Sequence, residues 1–278
     1  MIASRAAGTR APRAALVVVV WLLAIPAQAH HEAIFGPQSS LVMSAPAFVS
    51  MQVFSRRLET LRQETTFVLS GSITPVAEVP LSLTAIMPYS VIDGAGLPSR
   101  AAFEDSIFAA RYRYDLSALQ SATGKDGNFL LGMGALELPT GSMDHPAFSG
   151  PLGWLAAALW SGEVGPLSAI AYGFYRHPGD ASDARPQTLF LGGGIAWTPL
   201  DDPVTERLFS LQLGYSHERS FATSVATAQV LHPTVVLAPV KHLLGFAVVS
   251  IPVSHDGTIG EQDQWRIGGG AVLLFGGH

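Results

Sequence analysis

The chain has 278 residues, of which 48% are hydrophobic and only 13% are charged, and its formal net charge is −5. The charged share is about half of that in an average soluble protein, and the negative balance disfavours nucleic acid as a partner. Cysteine is absent, which excludes thiol chemistry, thiolate metal sites and disulfide bonds and fits export to an oxidising compartment.

The first 29 residues have the pattern of a secretory signal peptide. Arg5, Arg10 and Arg13 precede an apolar run from Ala14 to Ile25, and small residues at both ends of Ala27–Ala29 suit a signal peptidase. The apolar run is shorter than the roughly 20 residues of a membrane-spanning helix, so we expect cleavage after Ala29. Loss of the three arginines would leave 13 basic and 21 acidic residues, a formal charge of −8.

Residues 30–46 are predicted to form a leader before a strand-rich region that occupies residues 47–278. Cleavage would make His30 the N-terminal residue, followed by His31, and an amine with imidazole nitrogens can chelate Cu(II) or Zn(II). The alternative is a mobile polar segment without a ligand. The sequence indicates no other cofactor.

From Phe48 onward, polar and apolar residues alternate in segments of about ten residues separated by turn signals. No apolar run long enough for a spanning helix follows Ala29, and a closed antiparallel β-barrel is the other structure that satisfies its backbone hydrogen bonds in lipid. We therefore predict an all-β transmembrane barrel. Its twelve predicted strands lie near 48–56, 66–74, 81–90, 105–115, 128–138, 154–162, 167–176, 187–198, 207–217, 228–237, 242–254 and 264–275.

The strand count depends on residues 154–162, because Ala156, Ala157 and Ala158 also suit a helix. Barrels of ten or fourteen strands therefore stay open, since bacterial barrels favour even numbers. A soluble β-sandwich is the alternative fold.

Charged residues recur on the polar faces of the predicted strands. In the fourth strand, Arg111, Arg113 and Asp115 oppose Tyr112 and Tyr114, an arrangement that suits a wet lumen better than a dry core. A ring of charges can select solutes in a pore, whereas paired charges can simply fill a barrel interior. We predict that the lumen is lined by Arg56, Asp105, Arg111, Arg113, Asp115, Glu137, Arg176 and Arg266.

The connections alternate in length, as expected for an outer-membrane barrel with both ends in the periplasm. Links 75–80, 163–166 and 238–242 are short and contain proline, whereas 92–102, 139–151, 176–186, 218–227 and 255–263 are longer and predicted to be outer loops. A short helix fits the longer inner links, 117–127 or 199–206. Polar loop residues such as Asp144 and His145 either bind divalent ions and lipopolysaccharide or are simply solvated.

The last predicted strand resembles the C-terminal signal that outer-membrane proteins present to the barrel-assembly machinery. Trp265, Ile267, Ala271, Leu273 and Phe275 share one face. The usual signal ends on its aromatic residue, whereas three residues follow Phe275 here.

Four short motifs resemble a family of outer-membrane barrels, the phenol-degradation (MetA-pathway) channel or transporter proteins. The motifs are Gly36–Ser40, Leu138–Gly141, Ala171–Phe174 and Trp197–Pro199. The resemblance covers most of the chain after residue 29. It implies a barrel that passes small, in some cases aromatic, compounds across the outer membrane of a Gram-negative bacterium.

An enzymatic function would need a nucleophile and a base, for which His217, Glu218 and Ser220 are the candidates. Adjacency in sequence does not make a triad, which is defined by geometry, so we expect no enzyme. We predict instead a channel for passive passage of small polar or amphipathic molecules. The alternative is a closed barrel with a structural or ligand-binding function. The partners we expect are outer-membrane lipids, lipopolysaccharide and small-molecule solutes.

Overall fold

The computed structural model describes residues 47–275 except 59–61, 77–78, 95–96, 124–127, 143–149, 180–185, 203–206, 222–224, 241 and 257–262. The predicted signal peptide, the leader and the candidate ligands His30 and His31 lie outside the described residues. So do the loop residues Asp144 and His145.

Alternating side chains produce thirteen strands and one short helix among the described residues. They are β1 (Ala47–Leu58), β2 (Arg62–Ile73), β3 (Leu81–Gly94), β4 (Leu97–Phe103), β5 (Ser106–Asp115), α1 (Ser117–Thr123), β6 (Phe129–Leu138), β7 (Gly153–Val164), β8 (Leu167–His177), β9 (Gln187–Asp202), β10 (Arg207–Phe221), β11 (Val225–Val240), β12 (Leu243–Asp256) and β13 (Asp263–Phe275).

The strands form a closed antiparallel barrel with twelve strands in its wall. Strand β1 pairs with β2 on one side and with β13 on the other, so the first and last strands close the sheet. Ala47 lies opposite Phe275. We call the end of the barrel that holds these two residues the inner end and the opposite end the outer end, following the usual orientation of such barrels.

Strands β4 and β5 together make the fourth strand of the wall, which explains why thirteen strands give a twelve-stranded barrel. Both pair with β3: Tyr89 lies opposite Phe103 in β4, and Ile86 lies opposite Ile107 in β5. Two residues, 87 and 88, lie between these positions on β3, whereas three residues, 104–106, lie between their partners. The extra residue is a β-bulge at Glu104 and Asp105.

Side chains alternate between a buried inner face and an exposed outer face, as the period of two requires. In β5, for example, Arg111 is 3% exposed whereas Tyr112 is 51% exposed. The outer face carries large apolar residues, which suits contact with lipid. Trp154 and Trp265 lie near the outer end, and Trp160, Trp197 and Tyr114 near the inner end.

The twelve predicted wall strands are confirmed, including β7, where Ala156–Ala158 form strand rather than helix. Of the two links that could hold a short helix, 117–127 contains α1, whereas β9 extends into the other as far as Asp202. Among the described residues, no helix is long and apolar enough to cross a membrane.

Several predicted loops were too long. Strands β3 and β4 occupy most of the predicted loop 92–102, β10 runs to Phe221, and β9 continues to Asp202. The physical reason is that strands already in register keep pairing beyond the apolar segment, whereas alternation of apolar side chains marks only the part that faces lipid.

Candidate functional site: the barrel interior

Charged side chains on seven strands gather in the outer half of the interior. We call this set the outer charge belt: Arg56, Glu64, Glu104, Glu137, Arg176, Glu218 and Arg266. Buried charges are costly unless they are paired, and the belt is built largely from arginine–glutamate pairs.

The most deeply buried pair joins Arg176 of β8 to Glu137 of β6. The Arg176 Nε and Nη2 atoms donate to the two carboxylate oxygens at 3.0 and 2.7 Å, and the two side chains are 1% and 3% exposed. Strand β7 lies between them, and its inward residue there is Gly153. A Cβ at Gly153 would lie 3.0 Å from Oε2 of Glu137, so the glycine makes room for the pair.

A second pair begins a chain of hydrogen bonds that runs from β1 to the bulge. Arg56 donates through Nε and Nη2 to Oε2 of Glu64 at 3.2 and 2.7 Å. The hydroxyl of Thr66 is 3.5 Å from the other oxygen of Glu64 and 2.6 Å from the Ser90 hydroxyl. Ser90 in turn donates to Glu104.

A third contact crosses the lumen. Arg266 of β13 and Glu218 of β10 approach to 4.0 Å, although β11 and β12 separate their strands in the wall. Beside them, the buried His232 of β11 lies between two hydroxyl groups, with Nε2 2.8 Å from Ser216 Oγ and Nδ1 3.0 Å from Ser250 Oγ. This side of the interior is therefore lined by hydrogen-bonding groups.

A separate group of charges lies toward the inner end. Arg111 donates to the Ser72 hydroxyl, and its guanidinium carbon is 5.5 Å from the Phe48 ring centroid. Arg113 is 4.4 Å from the ring centroid of Phe129 and donates to Asp115 at 2.5 Å.

The two groups are well separated. Phe48, beside Arg111, is eight residues along β1 from Arg56 of the belt, a distance of about 26 Å for an extended strand.

Strands β6 to β9 give the interior an apolar wall. Its buried side chains include Phe129, Leu131, Met133, Leu155, Leu159, Ile170, Tyr172, Phe174 and Phe190. The rings of Phe174 and Phe190 stack with centroids 5.0 Å apart. The rest of the interior is mixed, because its hydrogen-bonding groups alternate with buried apolar side chains such as Phe54, Val236 and Phe246.

Asp105 binds the backbone of the connection between β6 and β7 through both carboxylate oxygens. Its carboxylate oxygens accept hydrogen bonds from the Gly141 and Gly150 amides at 3.0 and 2.9 Å. It is 3% exposed and shares the inward alternation of Ile107 in β5. Asp105 therefore joins the wall to the connection between β6 and β7.

The eight residues predicted to line the lumen do not form one ring. Arg56, Glu137, Arg176 and Arg266 meet in the outer charge belt, whereas Arg111, Arg113 and Asp115 lie at the inner end, and Asp105 holds a loop.

Sequence reasoning missed Glu64, Glu104 and His232 as interior groups, and it considered Glu218 only as a catalytic candidate. Glu64 and Glu104 fall just outside the predicted strands, so only longer strand boundaries would have found them. His232 lay in a predicted strand, where alternation alone would have placed it on the polar face.

Strand β10 contains all three catalytic candidates, His217, Glu218 and Ser220. His217 is on the face opposite Glu218 and Ser220, because successive strand residues point to opposite sides, so they do not form a nucleophile–base arrangement. Among the described residues, no group of three or more histidine, aspartate or glutamate side chains is arranged to hold a metal ion.

Comparison with known proteins identifies the fold. The chain is similar to the solved structure of the COG4313 outer membrane channel from Pseudomonas putida F1, with a TM-score of 0.58 and 11% identity over 83% of this chain and 96% of that one. The fold is that of a Gram-negative outer-membrane β-barrel.

Two further solved structures resemble this outer-membrane barrel more weakly. The KdgM porin in complex with disordered oligogalacturonate has 13% identity and a TM-score of 0.49 over 82% of this chain and 99% of its own. The β domain of the Bordetella autotransporter BrkA has 12% identity and a TM-score of 0.49 over 83% and 99%. No family model matches the sequence, and no curated protein matches it.

Proposed function

We propose that this barrel is a narrow channel for passive passage of small polar or amphipathic molecules, aromatic ones included, across the outer membrane. The observation that carries the proposal is the uneven lining of the interior. Strands β6 to β9 form the apolar wall, whereas the buried polar groups of the other strands, including His232 and Gln212, lie among apolar side chains. The motifs shared with the phenol-degradation channel family support the same function.

An unevenly lined interior suits a molecule that has both a ring and polar substituents. The ring can contact side chains such as Phe174 and Phe190 while the polar groups exchange hydrogen bonds with the buried polar groups of the other strands. Conduction needs binding that is favourable enough for entry yet weak enough for exit. Several moderate contacts along the barrel meet this requirement better than one tight site.

Close packing limits the size of the solute. Side chains from the apolar wall and from the other strands are almost fully buried, with Phe129 at 0% and Ser216 at 0% exposure. A wide water-filled pore would leave its lining exposed, so we expect passage of small molecules only, with side-chain movement.

Solute flux into liposomes tests the proposal. The full chain, refolded into vesicles, is expected to pass a small phenolic compound and a monosaccharide but to exclude a trisaccharide. A folded barrel that passes none of them would contradict the proposal, with empty vesicles as the control.

Ion preference tests the role of the inner arginines. If Arg111 and Arg113 favour anions in the lumen, the variants Arg111→Ala and Arg113→Ala should shift the reversal potential toward cations in a salt gradient. An unchanged reversal potential would assign both arginines to packing against Ser72, Phe48 and Phe129.

The second candidate is a closed barrel with a structural or ligand-binding function, and the near-complete burial of the interior favours it. Such a barrel would insert normally and carry no flux. We also propose lipids, lipopolysaccharide and the barrel-assembly machinery as partners; β13 would present the signal to that machinery.

A further inference from the structure

We propose that the amide oxygens of Gln52 and Gln212 accept hydrogen bonds from hydroxyl groups of the solute, so that the barrel prefers neutral alcohols and phenols to molecules without an O–H donor. The inference names the substrate class of the proposed channel and rests on that proposal for its consequence in transport. The two glutamines lie on β1 and β10, and three strands separate them in the wall.

Both amide oxygens are buried acceptors without a hydrogen-bond partner among the described residues. Gln52 is 5% exposed and Gln212 is 6% exposed, and protein encloses Oε1 of each without a donor in reach. Most buried polar groups in proteins are paired, because an unpaired acceptor has lost its bonds to water without a replacement. The two oxygens are therefore suited to a donor that arrives with a solute.

The same local arrangement holds both amides. Nε2 of each glutamine donates to the serine two residues earlier in its strand, from Gln52 to Ser50 at 3.1 Å and from Gln212 to Ser210 at 3.4 Å. Alternation places both members of each pair on the inner face. Each serine is also hydrogen-bonded to a hydroxyl group of a neighbouring strand. The serines thus fix the amide nitrogens and leave the oxygens as the groups that can bind a solute.

The glutamines lie where their strands turn uncharged residues inward. Gln52 is four residues along β1 from Arg56 of the outer charge belt and four from Phe48 toward the inner end. Between Ser210 and Ser216, the inward residues of β10 are a glutamine and a glycine. An ion would lose its water here without a counter-charge from these strands. A neutral solute can instead exchange each bond between a hydroxyl group and water for a bond to an amide oxygen.

Apolar neighbours increase the contribution of each acceptor. Gln52 lies opposite the buried Val68 of β2 and opposite Gly270 of β13, where an added Cβ would lie 3.0 Å from Cγ of Gln52. Gln212 lies opposite the buried Ala196 of β9. Water competes poorly for a hydrogen bond in such surroundings. A solute with an O–H donor therefore gains more than an ether of the same size.

Two fluorinated probes of similar size test the preference. 4-Fluorophenol carries an O–H donor, which a methyl ether replaces in 4-fluoroanisole. Their affinities for the full chain refolded in detergent micelles are measured by fluorine NMR, and partitioning into barrel-free micelles is subtracted. The parent should bind the phenol about fivefold more tightly than the ether, as expected for one net hydrogen bond.

Gln52→Met and Gln212→Met remove the acceptor and keep the length of the side chain. Each should lower the affinity for the phenol roughly twofold and leave the affinity for the ether unchanged, and the double variant should bind both probes about equally. Gln63→Met is the matched control. Gln63 also donates to a serine, Ser55, at 3.0 Å, but it lies on the exposed surface, so its replacement should leave the ratio of the two affinities unchanged.

Equal affinities of the parent for the two probes would overturn the inference, and so would methionine variants that keep the parent's ratio. Heat-modifiable gel mobility shows which variants fold. If one methionine variant does not fold, the other decides. If neither folds, the ratio measured for the parent decides.

Liposome flux separates this inference from the channel proposal. A parent barrel that carries flux but binds both probes equally would overturn the inference alone. A parent barrel that prefers the phenol but carries no flux would overturn the channel proposal, and the two glutamines would then be ligand-binding residues of a closed barrel.

Discussion

The buried pair of Arg176 and Glu137 allows a quantitative test of how the interior is stabilised. Removing one partner of a buried ion pair costs about 3–5 kcal/mol, because a charge stays behind in a medium that solvates it poorly. The amide oxygen left by Glu137→Gln can still accept one hydrogen bond from Arg176. We therefore expect a loss near the lower limit, about 3 kcal/mol in the free energy of unfolding.

The double variant Glu137→Leu with Arg176→Met should behave differently. It removes both charges and replaces them with apolar groups that suit the neighbouring apolar wall, so its stability should be about equal to that of the parent or higher. The assay is urea unfolding of the barrel in lipid vesicles, followed by the emission of its four tryptophans, Trp154, Trp160, Trp197 and Trp265.

Asp93→Asn changes an exposed carboxylate near the outer end of β3. It serves as a surface control and should change stability by less than about 0.5 kcal/mol. A loss below about 1 kcal/mol in Glu137→Gln, or a double variant that is less stable than the single one, would refute the reasoning. Either result would mean that water reaches the pair and screens it.

Glycine positions provide two further predictions. Gly153→Ala should destabilise the barrel by about 1–3 kcal/mol, because the new Cβ would lie 2.9 Å from the carbonyl oxygen of His177. Gly132→Ala is the control and should be near neutral in the same unfolding assay, since no atom lies within 4 Å of the Cβ it would add. Equal effects would contradict this. Gly268→Ala should slow liposome flux, because its Cβ would lie 2.2 Å from Phe54 Cδ1 and displace that ring into the lumen; unchanged flux would show that the ring is accommodated elsewhere.

Much of the wall could be predicted from the sequence because alternation is a local property. A polar residue between two apolar ones, as at Ser210 and Gln212, determines which face turns inward without knowledge of the partner strand. The inward face of strand β6 was harder to predict, since residues 129–136 are apolar or glycine on both faces. Its inward side chains are identified only by their burial in the folded barrel.

The grouping of charges could not be predicted, because it depends on register and on contacts between strands that are not neighbours. Arg176 meets Glu137 across an intervening strand, and Arg266 meets Glu218 across two. The β-bulge is a further reason, since one added residue changes which side chains turn inward after it. Asp105 was predicted only to line the lumen, and the hydrogen bonds from the Gly141 and Gly150 amides could not be predicted because they depend on the bulge.

Single-channel conductance in a planar bilayer tests the central claim most directly. If the barrel is a narrow channel, the full chain inserted into the bilayer should give small, discrete and reproducible current steps. Insertion of correctly folded barrels, verified by heat-modifiable mobility, without any current steps would contradict the channel and favour a closed barrel.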